Sequence, residues 1–218
     1  MKRSISLILV IVALATLITS CSKGNKFVAD GLGYVDKETE VSYSFAPFCY
    51  EPIELGEKIY GSDGELEFYE IVGQDPKLWL GEKDGGVFYA EGVTLPTIDK
   101  MNISELQFCT TGEQIFVRER INSELFISDV ISEYLSAQPL YYLNSEAELT
   151  YKLRFVDQTL GIYYCLEFLR YDGEYTLETS SGEINYGKDF IYNRSEDRFI
   201  KAPAAISERI DSILGIKK

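Results

Sequence analysis

Two runs of alternating side chains constrain this chain more than any other feature. Tyr151, Leu153 and Phe155 point one way while Lys152 and Arg154 point the other, and Ile162, Tyr164, Leu166 and Phe168 repeat the pattern. A period of two belongs to a strand with one face in a core and one in water, which is how antiparallel sheets are built. The same reading makes a strand of Val41, Tyr43 and Phe45, ending at Pro47, and further strands of Leu66 to Val72 and Lys77 to Gly81, with Gly73-Gln74-Asp75-Pro76 as the turn between them. Asp84-Gly85-Gly86 predicts a hairpin into Val87 to Ala90. Ile115 to Ile121 alternates again, Asp172-Gly173 predicts a turn into Tyr175 and Leu177, and Phe190 to Tyr192 and Arg198 to Ile200 flank a polar turn.

Two segments change period. Ile127, Val130, Ile131, Tyr134 and Leu135 recur at helical spacing, which predicts a mid-chain helix with Ser128 as its cap and Pro139 beyond its end. Ile206, Ile210, Ile213 and Leu214 make a second stripe between Pro203 and Gly215, residues that suit a helix start and stop. The fold class is therefore α+β: mainly antiparallel sheet with a mid-chain helix and a C-terminal helix. Residues 38–110 read as a β-rich part and residues 111–218 as an α+β part, as two units or one domain.

The chain's first residues carry an address. Lys2 and Arg3 precede the nearly continuous apolar run Ile5 to Ile18, which has signal-peptide length and is short of the roughly 20 residues of a membrane span. Ile18-Thr19-Ser20-Cys21 follows, and it resembles the lipobox of bacterial lipoproteins, with isoleucine where leucine is commoner. The resemblance implies cleavage after residue 20, diacylation of the Cys21 thiol and an extracytoplasmic body held on the cell membrane. Two acyl chains hold stably, since each buried CH₂ contributes about 0.8 kcal/mol. Residues 21–37 then read as the lipidated cysteine and a polar tether, roughly 20–24 Å long on average. Glu70 to Leu80 with Gly86 to Tyr89 is similar to a segment of uncharacterised lipoproteins of Gram-positive bacteria, a likeness that brings no activity with it.

Charge and composition limit the chemistry. With 35 acids against 21 bases the net charge is −14, and loss of Lys2 and Arg3 would make it −16. Such a surface disfavours nucleic acid, which recruits basic patches. There is no histidine, which removes Ser-His-Asp and Cys-His catalysis and His-ligated zinc. Cys49, Cys109 and Cys165 have no metal-binding spacing; three pairings are open in an oxidising compartment, and Cys49 with Cys109 is the expected pair if a bridge forms.

Glu65 and Glu67 share a strand face and are the candidate pair for glycosidase chemistry. Asp63, Asp84 and Asp172 sit in Asp-Gly pairs that lack the calcium-loop pattern. Tyr141-Tyr142 and Tyr163-Tyr164 each put one ring on either face of a strand, a candidate ligand platform. No cofactor, metal ligand or catalytic residue is assigned. The expected function is a membrane-anchored extracytoplasmic lipoprotein that binds an envelope protein or peptide; the alternative is a carboxylate-based hydrolase acting on envelope polysaccharide.

Overall fold

The protein is described by a computed structural model covering residues 25–112, 114–140, 146–179 and 182–216. The signal segment, Cys21 and Tyr141-Tyr142 lie outside the described residues. The first half makes eight strands: β1 (Phe27–Asp30), β2 (Gly33–Asp36), β3 (Ser42–Phe45), β4 (Tyr50–Pro52), β5 (Leu55–Ser62), β6 (Glu67–Ile71), β7 (Trp79–Gly81) and β8 (Val87–Ala90). All but β4 form one antiparallel sheet in the order β1-β2-β3-β8-β7-β6-β5. This sheet curls until the ring of Phe27 lies on Gly61 of β5, where a side-chain carbon would come within 2.4 Å of the ring. Inside the curl, Phe27, Tyr43, Phe68, Leu80 and Phe88 are buried together, with Phe27 edge-on to Tyr43 and Phe68 edge-on to Phe88 at 5.2 Å.

The second sheet holds β9 (Glu105–Thr110), β10 (Val117–Ile121), β11 (Leu149–Asp157), β12 (Ile162–Thr179), β13 (Gly182–Asn193) and β14 (Arg198–Lys201). Its order is β10-β9-β11-β12-β13-β14, and β4 from the first half pairs with the start of β12. Two helices among the described residues, α1 (Glu124–Ser136) and α2 (Ala204–Leu214), pack on one face. The architecture is thus antiparallel sheets with a mid-chain and a C-terminal helix, the α+β class expected. Alternation explains the assembly: Phe88 and Ala90 face into the curl, while Val87, with Ile71 and Trp79, joins Leu106, Phe108, Leu153, Phe155, Tyr164 and Phe168 in a second core. Ile127, Val130 and Tyr134 of α1 and Ile206 and Ile210 of α2 close that core. One continuous core therefore spans both halves of the chain, and the boundary expected at residue 110 falls between β9 and β10, which pair with each other.

Several local expectations change. The hairpin β1–β2 lies within the expected tether, so the folded body begins at Phe27 rather than Glu38; Phe27 and Asp36 are both fully buried. Four-residue strands with one inward apolar residue leave no readable alternation. Ser123, not Ser128, caps α1, its hydroxyl accepting from the Phe126 N–H at 3.4 Å, and the helix starts one turn before its apolar stripe. Asp172-Gly173 is not a turn: β12 runs on through it with a bulge between Arg170 and Tyr175. Gly215 ends α2 in the left-handed conformation, φ 73°, as expected of a glycine stop. No helix among the described residues is long and apolar enough to cross a membrane.

Candidate functional site

The face of the second sheet away from the helices carries a set of charged groups. In β12 the residues between the core positions are Tyr163, Cys165 and Glu167. Register places Tyr163 opposite Glu51 of β4, Cys165 opposite Arg154 and Glu167 opposite Lys152. The next strand brings Gln107 beside Arg154 and Cys109 beside Lys152. Glu51 accepts from Lys152 Nζ at 2.5 Å and from Arg154 Nη2 at 2.7 Å, and all three side chains are about four-fifths buried. The Arg154 guanidinium lies 4.6 Å from the centre of the Tyr163 ring. At the sheet edge Glu105 accepts from both Gln107 at 2.5 Å and Arg120 at 2.6 Å.

These contacts set the protonation states. Burial pushes the Glu51 carboxyl up, but the hydrogen bonds and charges of Lys152 and Arg154 outweigh it and hold the group below the usual carboxylate range. Burial pushes all three thiols, Cys49, Cys109 and Cys165, above their ordinary value. They are protonated at neutral pH, and a thiol is a poor nucleophile beside a thiolate.

Next to Glu51 a recess of about 250 Å³ opens over the outward side of β11 and β12. Glu51, Lys152 and Glu167 line it from the strands, Asp84 from the β7–β8 turn, and the exposed Phe48 and Arg194 complete the lining. The turn that carries Arg194 is fixed from below. Asn193, fully buried, donates to the hydroxyls of Tyr134 at 3.1 Å and Tyr164 at 3.0 Å, and its Oδ1 accepts from the Ser195 N–H. Ser195 Oγ accepts in turn from the Cys49 N–H at 2.9 Å, tying the β13–β14 turn to the segment that presents Phe48. Arg194 is exposed and sits 5.8 Å over the Phe48 ring, which is 66% exposed. No carboxylate lies within salt-bridge distance of Arg194 among the described residues, whereas Lys152 is already engaged by Glu51.

The residues singled out in the sequence fare differently. Cys49 and Cys109 are free buried thiols; the Cys49 carbonyl accepts from the Cys165 N–H at 2.6 Å, while Cys109 sits on β9. Glu65 and Glu67 are both exposed and neither lines the recess; a hydrogen bond from the Tyr69 hydroxyl, reinforced by Lys83, holds Glu67 below the usual carboxylate range. Asp63 accepts from the N–H groups of Glu65 and Leu66 as a turn residue. No group of three acidic or cysteine side chains suited to a metal ion occurs among the described residues. Tyr164 is core, and Tyr163 lies outward beneath Arg154. Glu51, Arg194 and Phe48 carried no signal: Glu51 meets its partners across about a hundred residues of chain, and Arg194 reads as one more polar turn residue.

Comparison with protein-family models, with curated proteins and with solved structures finds no match to this chain. The chemistry of the recess is therefore the guide to its use.

Proposed function

We propose that the protein is a lipid-anchored binding module of the cell envelope, acylated at Cys21, that captures a carboxylate-bearing segment of an envelope protein or peptide in the recess at Arg194. The observation that carries the reading is the Arg194 guanidinium, without a carboxylate partner among the described residues, over the exposed Phe48 ring. It offers a planar donor set for a carboxylate beside an apolar surface, the combination that recognises an acidic residue or a chain terminus next to a hydrophobic side chain. The volume of about 250 Å³ is below the roughly 300–1,000 Å³ of sites for drug-sized ligands, which suits a side chain or a terminus. The paired charges of Glu51 and Lys152 and the protonated thiols support binding rather than proton transfer. The hydrolase reading rested on Glu65 and Glu67, whose exposed positions do not favour it.

A photoreactive phenylalanine analogue at position 48 in the full chain tests the site in living cells. The expected result is a discrete adduct that disappears with Arg194→Gln. An adduct pattern unchanged by Arg194→Gln overturns the assignment of the recess. Palmitate labelling that persists in Cys21→Ala overturns the anchor.

A further inference from the structure

The lipid anchor and the folded body are closer together than the sequence implies. Sixteen residues separate Cys21 from the expected start of the fold, but Asn25, only four residues after Cys21, already contacts the folded body. Asn25 Nδ2 donates to the carbonyl oxygen of Asp63, and a side-chain carbon at Gly64 would come within 2.7 Å of it, so Asn25 is clamped to the β5–β6 turn. The next residue is clamped as well. The Lys26 carbonyl accepts from the Lys37 N–H at 2.9 Å, and its ammonium lies 3.6 Å from the centre of the Tyr60 ring and 3.4 Å from buried Asp36. From Phe27 the chain is core.

Four residues of fully extended chain reach about 13–14 Å. The headgroup layer on each side of a bilayer accounts for about 5–7 Å of that, given a hydrocarbon core of about 30 Å within a total of about 40–45 Å. Whatever conformation residues 21–25 take, Asn25 then lies within about 8 Å of the outer headgroup surface, one Debye length at physiological salt. The elements touching Asn25 and Lys26 share that position. They are the β5–β6 turn with Asp63, Glu65 and Leu66, and the β2–β3 turn with Lys37, Glu38 and Glu40.

We propose that the bilayer surface is the partner of this corner of the body, so that the lipoprotein stands on the membrane on its Asn25–Asp63 corner instead of floating on a tether. The inference rests on the acylation of Cys21. The occupant follows from the covalent reach, not from attraction. The corner carries Asp63, Glu65, Glu38 and Glu40 against Lys26 and Lys37, so zwitterionic headgroups suit it and anionic headgroups repel it.

The test uses the full-length acylated chain in vesicles. Cys49, Cys109 and Cys165 are buried, so an environment-insensitive fluorophore can be placed on Glu65→Cys alone, with the parent chain as labelling control. The vesicles are phosphatidylcholine containing a lipid with a short-range quencher on its headgroup. The expected result is at least threefold quenching at position 65, relieved to near the unquenched level when a 20-residue Gly/Ser spacer is inserted before Asn25. Replacing a third of the lipid by phosphatidylglycerol at low salt should reduce the quenching, and added salt should restore it. Acylated, vesicle-bound protein whose label is unquenched, or whose quenching ignores the spacer, overturns the docking while leaving the anchor standing. A chain whose mass shows no acyl group on Cys21 overturns the anchor and the docking together.

Discussion

Arg170→Met should unfasten the C-terminal helix from the second sheet. Arg170, 6% exposed, donates from Nε and Nη2 to both oxygens of Asp189 at 2.6 and 2.7 Å, and from Nη1 to Asp211 of α2 at 2.7 Å. Asp189 is its cross-strand partner on β13, so one guanidinium joins two strands and a helix. Hydrogen bonds to Asp189 first, then to Asp211, raise the Arg170 pKa above even its ordinary value, and the cation persists at any working pH. Methionine fills similar volume, so the loss is electrostatic. It leaves two carboxylates, 15% and 21% exposed, side by side without a counter-charge.

Breaking a buried ion pair in this way costs about 3–5 kcal/mol. The residual exposure of both carboxylates puts the expected loss near the lower end, about 3 kcal/mol. For a body of this length that lowers the melting temperature by about 6–12 °C, at roughly 2–4 °C per kcal/mol. The assay is thermal unfolding followed by circular dichroism, with Arg170→Met/Asp189→Leu/Asp211→Leu as the companion. Because an apolar triad is often as stable as the ionic one, the companion should recover most of the loss. A fall of less than about 2 °C in the single variant refutes the account, at the same conversion of degrees to energy. A triple variant no better than the single one would place the loss in shape, not in unpaired charge.

Three further outcomes follow from the same interior. Asn193→Ala removes the bonds to the hydroxyls of Tyr134 and Tyr164 and to the Ser195 N–H and frees the turn bearing Arg194; urea unfolding should show a loss of about 2–4 kcal/mol from these buried bonds, and an unchanged midpoint would count against the network. Glu51→Gln should destabilise the protein in a pH-dependent way. The folded Glu51 pKa is lowered from 4.5, so the carboxylate's contribution is present above about pH 4.5 and is lost as pH falls through the folded value. Melts of parent and variant should therefore differ at pH 7 and draw together as pH falls below 4.5 towards the folded value, and a gap that stays constant on acidification contradicts the pairing with Lys152 and Arg154. Finally, Cys49, Cys109 and Cys165 should resist a thiol reagent at pH 8 and react on unfolding in urea. Rapid modification of any of them in the native protein would show that burial does not hold the thiols protonated.

Most of what the sequence determined is local. Strict alternation in Tyr151 to Phe155 and Ile162 to Phe168 specified two strands and their buried faces, because a period of two cannot be satisfied by any other element with one dry side. The stripes ending at Leu135 and Leu214 specified two helices for the matching reason at a period near four. Alternation failed where strands are short or edge-placed. Ile115 and Val117 read as one face of a strand with Ile121 yet are exposed, because Ile115 precedes β10, β10 is the sheet's outer strand, and within it only Ile121 is buried. The hairpin β1–β2 was invisible because what its inward residue packs on is distant in sequence: the Phe27 ring lies over Gly61, more than thirty residues away.

Only the tertiary structure decided the site. Lys152 and Arg154 were legible as the wet side of a strand, but they become a charge-paired floor when β4 lays Glu51 across them, about a hundred residues away in sequence. Arg194 acquires meaning through Asn193 and Ser195, whose buried hydrogen bonds hold its turn over Phe48. Pairing of polar groups depends on which strands the hydrophobic core brings side by side, and that choice is made by the whole core, not by the residues that benefit from it. The lipobox-like pattern at Cys21 stands at the other extreme: it is read along a linear segment and needs no fold to be legible.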